Sequence, residues 1–240
     1  MEKKLAREGR RLPTKCGAPL KSGYKPEIDI TAELKAEGMQ YYQELIDVLR
    51  WAIELGRVDI LLEVSLMSSY SACPRVGQLE QLFHIFSYMK TKPKRRIAFD
   101  PDHPQVDERQ FQKHNLFDFY CDVKKAIPGD MPSPRGHVMS THCFVDANNR
   151  GNLVTRRSQT GILIFCNRAP IIWYSKRQNT VKVSTFGSEL VAMKNAMELI
   201  EALHYKLRRV TKEDTATNLS DLFTKILPIV VRDRLLDLFT

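Results

Sequence analysis

Between Gln40 and Gly56 the apolar side chains recur at intervals of three and four. Tyr41, Leu45, Val48, Leu49, Ala52 and Ile53 fall on one face, which predicts a helix closed by Gly56. A second helix is predicted over about 59–70, with Ile60, Val64 and Met67 in phase. Pro74 interrupts the chain. A third helix is predicted over about 76–90, where Leu79, Leu82, Phe83, Phe86 and Met89 form a regular stripe. Stripes of this kind read as core packing, and the short connections join them into one small helical unit. "RIAFD" (96–100) has the pattern of a short strand. Residues 100–137 hold five Pro, many charges and little periodicity, and read as a linker.

The second half changes period. "THCFVDA" (141–147), "QTGILIFCN" (159–167) and "PIIWYSKRQ" (170–178) read as strands, the last two close enough for an antiparallel hairpin. A long helix follows over about 185–209, with Leu190, Met193, Met197, Ile200, His204 and Leu207 on its apolar stripe. Ser184 or Thr185 suits its N-cap. His204 reads as a packed residue. A last helix is predicted over about 228–239, with Pro228 in its first turn. The organisation expected is a basic extended lead-in (1–38), a helical unit (39–99), a linker (100–137) and a sheet-and-helix domain (138–240), an α+β protein.

Composition narrows this picture. The chain has 240 residues, 43% of them apolar, enough for a packed core. A formal charge of +9 points to an anionic partner, with nucleic acid the first candidate. The cysteines, Cys16, Cys73, Cys121, Cys143 and Cys166, are odd in number and form no CxxC, which argues against a disulfide framework or a zinc ribbon. His137, His142 and Cys143 lack the spacing of a zinc site. Asp100, Asp102, Asp107 and Glu108 read as loop solvation and lack the ligand pattern of a calcium loop. No apolar run approaches the ~18 residues of a membrane span, and "MEKKLAREGRR" has no signal-like apolar segment. An intracellular protein, cytoplasmic or nuclear, is expected.

The chemistry centres on acids. Asp146 ends a strand, where a lone desolvated carboxylate is costly. It stands for a structural turn or for a metal site with further acids. Glu189 lies in the first turn of the following helix, where it favours the helix dipole or serves as the second acid. Converging carboxylates suit divalent ions, which offset their mutual repulsion.

Several stretches in order carry a resemblance. "YYQELIDVLRWAIELGRVDILLEVSLMSSY" and "GQLEQLFHIFSYMK" are followed by "FVDANNRGN", "TRRSQTGILIFCNRAPIIWYSKRQNTV", "STFGSELVAM" and "TATNLSDLFTK". The chain resembles the polyprotein of copia-type LTR retrotransposons, across the end of the reverse transcriptase and the ribonuclease H domain after it. The resemblance covers nearly the whole chain. It implies Mg²⁺- or Mn²⁺-dependent hydrolysis of RNA in RNA/DNA hybrids during reverse transcription. Asp146, Glu189 and Asp221 match the family's strand, helix and closing acids, and would be its catalytic and metal-binding residues.

The match has gaps. The "CDN"-like strand that carries a further acid has no counterpart, and only residues 210–220 separate the long helix from Asp221. A strand–helix–strand unit needs roughly 30 or more residues. The Tyr-x-Asp-Asp palm motif is absent as well, so the chain is expected to begin downstream of it. The expectation is a truncated ribonuclease H-like fold: three antiparallel strands plus the long helix, with the Asp146 strand exposed as an edge open to self-association. Hydrolysis should be impaired. Binding of a hybrid or duplex should survive better, through Arg156, Arg157, Lys176 and Arg177, with Arg208 and Arg209 nearby. Trp173 offers a stacking face, though core packing is its plainer role. One alternative is a non-enzymatic remnant, inert or a basic nucleic-acid binder; a third reading is that the missing segment persists in the DNA as a falsely skipped intron. An intact frame between the codons for Arg209 and Val210 would restore the enzyme.

Overall fold

A computed structural model of the chain describes residue 12, residues 16–102 and residues 139–207. Asp221, Arg208, Arg209, His137, Cys121, the last expected helix and the linker beyond residue 102 lie outside the described residues. The described chain is α+β, with four α-helices and a three-stranded antiparallel sheet.

The helical unit comprises α1 (Ala36–Glu54), α2 (Leu61–Ser68) and α3 (Val76–Thr91), with a 3-10 turn, Val58–Ile60, leading into α2. α1 buries Tyr42, Leu45, Ile46, Leu49 and Ile53. The expected stripe was turned too far, because Val48 is 52% exposed. Adjacent apolar pairs (Tyr41/Tyr42, Leu45/Ile46, Val48/Leu49) support two helical phases, and packing against the other helices selects one. Gly56 follows at φ +102°, a conformation that suits glycine at a helix end. α2 buries Val64 and Met67, just after a buried Ile60, in the expected phase. α3 buries Leu82 and Ile85 together with Gln78, Gln81 and Ser87, so it runs through the middle of the unit.

Those buried amides of α3 hold the lead-in. Gln78 Nε2 donates to Pro26 O at 3.0 Å, and Gln81 Oε1 accepts from Lys21 N at 3.2 Å. "RIAFD" is irregular chain and not a strand, and Phe99 is exposed. Its pattern was too short to decide, and no described strand pairs with it.

The sheet has the order β1-β2-β3: β1 Thr141–Asn148, β2 Gln159–Cys166 and β3 Ala169–Arg177. The β2–β3 hairpin turns at Asn167 with φ +54°, a left-handed conformation that Asn tolerates. β1 is an edge among the described strands, as expected. α4 (Thr185–Leu207) lies on one face, against Ile162, Ile164 and Cys166. Ser184 is its N-cap: its Oγ accepts from Gly187 N at 3.1 Å.

α4 buries Ser188, Ala192, Ala196, Ile200, Leu203 and His204, whereas Leu190 is half exposed. The expected stripe of long side chains gives way to a line of small ones, which let the helix axis approach the sheet closely. The opposite face of the sheet receives the helical unit. Ser65 Oγ donates to Ser175 O at 2.7 Å and accepts from Gln159 Nε2 at 3.0 Å, and Trp173 packs on the helical core.

Candidate functional site

Strand alternation sets the geometry around Asp146. Ala147 is buried and pairs with Thr160, on the α4 side of the sheet. Asp146 is exposed and pairs with Gly161, on the other side. The strand continues two residues beyond Asp146, so the acid lies within β1 and not at its end.

The turn after β1 is tied to the start of α4. Arg150, at φ +53°, donates through its guanidinium to Val183 O at 2.6 Å. Asn149 Nδ2 donates to Thr185 Oγ1 at 3.2 Å. Gln178 Nε2 adds bonds to Thr160 Oγ1 at 3.0 Å and to Ser188 O at 2.9 Å. This bracket, buried at Gln178 and exposed at Asn149 and Arg150, fixes the first turn of α4 against the sheet, and with it Glu189 just beyond.

Glu189 Oε1 accepts from the Ala147 amide at 3.3 Å, so the helix acid reaches the free edge of β1 beside Asp146. Burial raises the Glu189 pKa above the ordinary carboxylate range. The Asp146 charge raises it further, and the Ala147 N–H pulls it back in part. Glu189 thus lies close enough to Asp146 to feel its charge, across the Ala147 amide. A two-ion centre needs more carboxylates converging on ions roughly 3.5–4 Å apart. Among the described residues no group of three or more His, Cys, Asp or Glu comes together as a metal cluster. Asp146 and Glu189 alone do not fit a pair of ions. Asp221 falls outside the described residues.

The discarded alternatives sort out physically. His142 and Cys143 are consecutive in β1 and project to opposite faces. Burial pushes the Cys143 thiol up to about 12, which leaves it unreactive. Asp100 accepts from Asp102 N at 2.9 Å and pairs with Arg168 at 3.1 Å, so it closes a turn and holds the hairpin.

The cations assemble elsewhere on the Asp146 side. A groove of about 500 Å³ runs between α1, α2 and the end of β3, a size typical of ligand sites. Arg157, Lys176 and Arg177 line it; Arg156, exposed at φ +58°, does not. The structure adds Arg50 from α1, and Glu54 is the one carboxylate in the lining. Arg50 and Asp47 are 3.8 Å apart and both well exposed, a weak pair. The C-terminal end of α1 lies at the groove and adds roughly half a negative charge, whereas α2 lines it along its whole length. Three full positive charges, Arg50, Arg157 and Arg177, outweigh that and Glu54; Lys176 pairs with Thr160, and its side chain projects to the α4 side. Nothing in the sequence distinguished Arg50 from other polar-face residues of α1, since only the tertiary fold brings it to Arg157.

Comparison of the chain with protein-family models, with curated proteins and with solved structures gave no match. No helix among the described residues is long and apolar enough to cross a membrane.

Proposed function

We propose that this chain is a ribonuclease H-like remnant of a retrotransposon reverse transcriptase, one that binds RNA/DNA hybrid or duplex nucleic acid and has lost efficient hydrolysis. The observation that carries the reading is the meeting of Asp146 and Glu189. A strand acid and a helix acid 43 positions later, the latter one residue past the first turn of α4 where the sequence pattern put it, share one sheet edge at the Ala147 amide. Burial first and the Asp146 charge second raise the Glu189 pKa, and a bound cation would relieve the second of these.

Two carboxylates, one of them already accepting from the Ala147 N–H, would hold a single Mg²⁺ or Mn²⁺ ion weakly. Productive metal geometry tolerates errors of only about 0.5 Å. Phosphate binding needs charge and a groove rather than an exact ligand cage, so the cationic groove supports retention of binding after loss of cleavage.

The reading is tested by titrating the full chain against a labelled RNA/DNA hybrid at increasing salt. Affinity should fall steeply and linearly on logarithmic axes, with little dependence on sequence. An affinity indifferent to salt would contradict it.

A further inference from the structure

We propose that one sugar–phosphate strand lies in the α1/α2/β3 groove and crosses the sheet over Gly161 to reach Asp146. The inference rests on the nucleic-acid reading above and adds a specific path. Residues paired across an antiparallel sheet share a face, and Asp146, Gly161 and Ser175 form one such row through β1, β2 and β3. Ser175 lines the groove. Asp146 therefore sits two strand spacings away, roughly 10 Å.

The middle member of the row has no side chain. A Cβ built on Gly161 meets nothing within 4 Å, so the surface between groove and acid is open at that point. Gly161 does not adopt a positive φ, and backbone conformation does not call for glycine there. Glycine inside a strand weakens it, and its common uses are a bulge or the close approach of another backbone or ligand. The β1–β2 register is continuous through Gly161, and the irregularity between β2 and β3 falls at Ile164/Phe165, which leaves close approach. Arg50, Arg157 and Arg177 supply cations at the groove end of the lane.

The test measures binding of the full chain to a labelled RNA/DNA hybrid and to single-stranded DNA, by fluorescence anisotropy at several salt concentrations. Arg50→Glu should weaken binding and reduce the salt slope by about one. Gly161→Ile should weaken binding several-fold while leaving the melting temperature equal or higher, because a β-branched residue replaces strand glycine in open space. Lys194→Glu, an equal charge reversal on the exposed side of α4, should leave binding near wild type. Inorganic pyrophosphate should compete far more weakly than an oligonucleotide.

Wild-type binding that survives both Arg50→Glu and Gly161→Ile would overturn the path and leave the nucleic-acid reading standing. Equal loss in Lys194→Glu, or pyrophosphate competing as well as the oligonucleotide, would also overturn it. A wild-type chain that binds neither nucleic acid would end both.

Discussion

The helical unit gathers fourteen buried apolar residues into one cluster, Tyr42, Ile46, Leu49, Met67 and Leu82 among them, all nearly inaccessible to solvent. The sheet and α4 share six, and two of these are Cys166 and Ala196. One region is stabilised by the volume of its side chains. The other is stabilised by close approach of a helix to a sheet and by a polar bracket around Gln178. The candidate chemistry sits in the leaner region, along its free edge. The better-packed region contributes Arg50 and the wall of the groove, and it packs on the sheet face that carries Asp146.

The largest effects should come from core truncation. Leu82→Ala should cost about 4 kcal/mol, near the upper part of the ~2–5 kcal/mol range for such changes, because its neighbours are large and interlocked. Ile164→Ala should cost nearer 2 kcal/mol, since small neighbours on α4 allow partial collapse. Denaturant midpoints measure both, and equal losses would erase the contrast. Ala196→Leu should come next, at ~1–3 kcal/mol, by forcing α4 away from the sheet.

Ser65→Ala removes the hydroxyl that joins α2 to Ser175 and Gln159, and should cost about 1 kcal/mol. Its informative readout is the shape of the unfolding curve. A transition that broadens or splits shows the two regions uncoupling, and an unchanged single transition shows that the remaining contacts, Trp173 packing and the Leu153–Glu27 hydrogen bond among them, suffice to join them.

The smallest effect concerns the acids. Glu189 has a raised pKa in the folded chain, so at a pH between the unfolded and folded values the folded state binds more protons than the unfolded one. Stability from this pair is greatest below the ordinary carboxylate range and declines as pH rises through the raised value. Asp146→Asn lowers that pKa and should stabilise the protein by a few tenths of a kcal/mol near neutrality, a small gain because Asp146 is solvent-screened. Below the ordinary carboxylate range the variant and wild type should melt alike. Destabilisation at neutral pH would mean that Asp146 makes a structural contact instead.

The strands and the lengths of the helices were legible from residue order, because period two and period three-and-a-half are hard to confuse over eight or more positions. The buried faces were less so. In α1 neighbouring apolar pairs fit two phases, and Val48 was placed inside while Ile46 was not. In α4 the contact line is Ser188, Ala192 and Ala196, and small residues carry too little hydrophobic signal to outvote Leu190 and Met193. Asp146 and Glu189 were readable because each sits in a motif. Arg50 and the open lane at Gly161 were not, since both depend on register and on packing between segments more than 100 positions apart.

The most direct trial of the account is incubation of the purified chain with a labelled RNA/DNA hybrid in Mg²⁺ and, separately, in Mn²⁺. The account predicts a bound hybrid whose RNA strand stays intact. RNA cleavage that disappears in Asp146→Asn would contradict it.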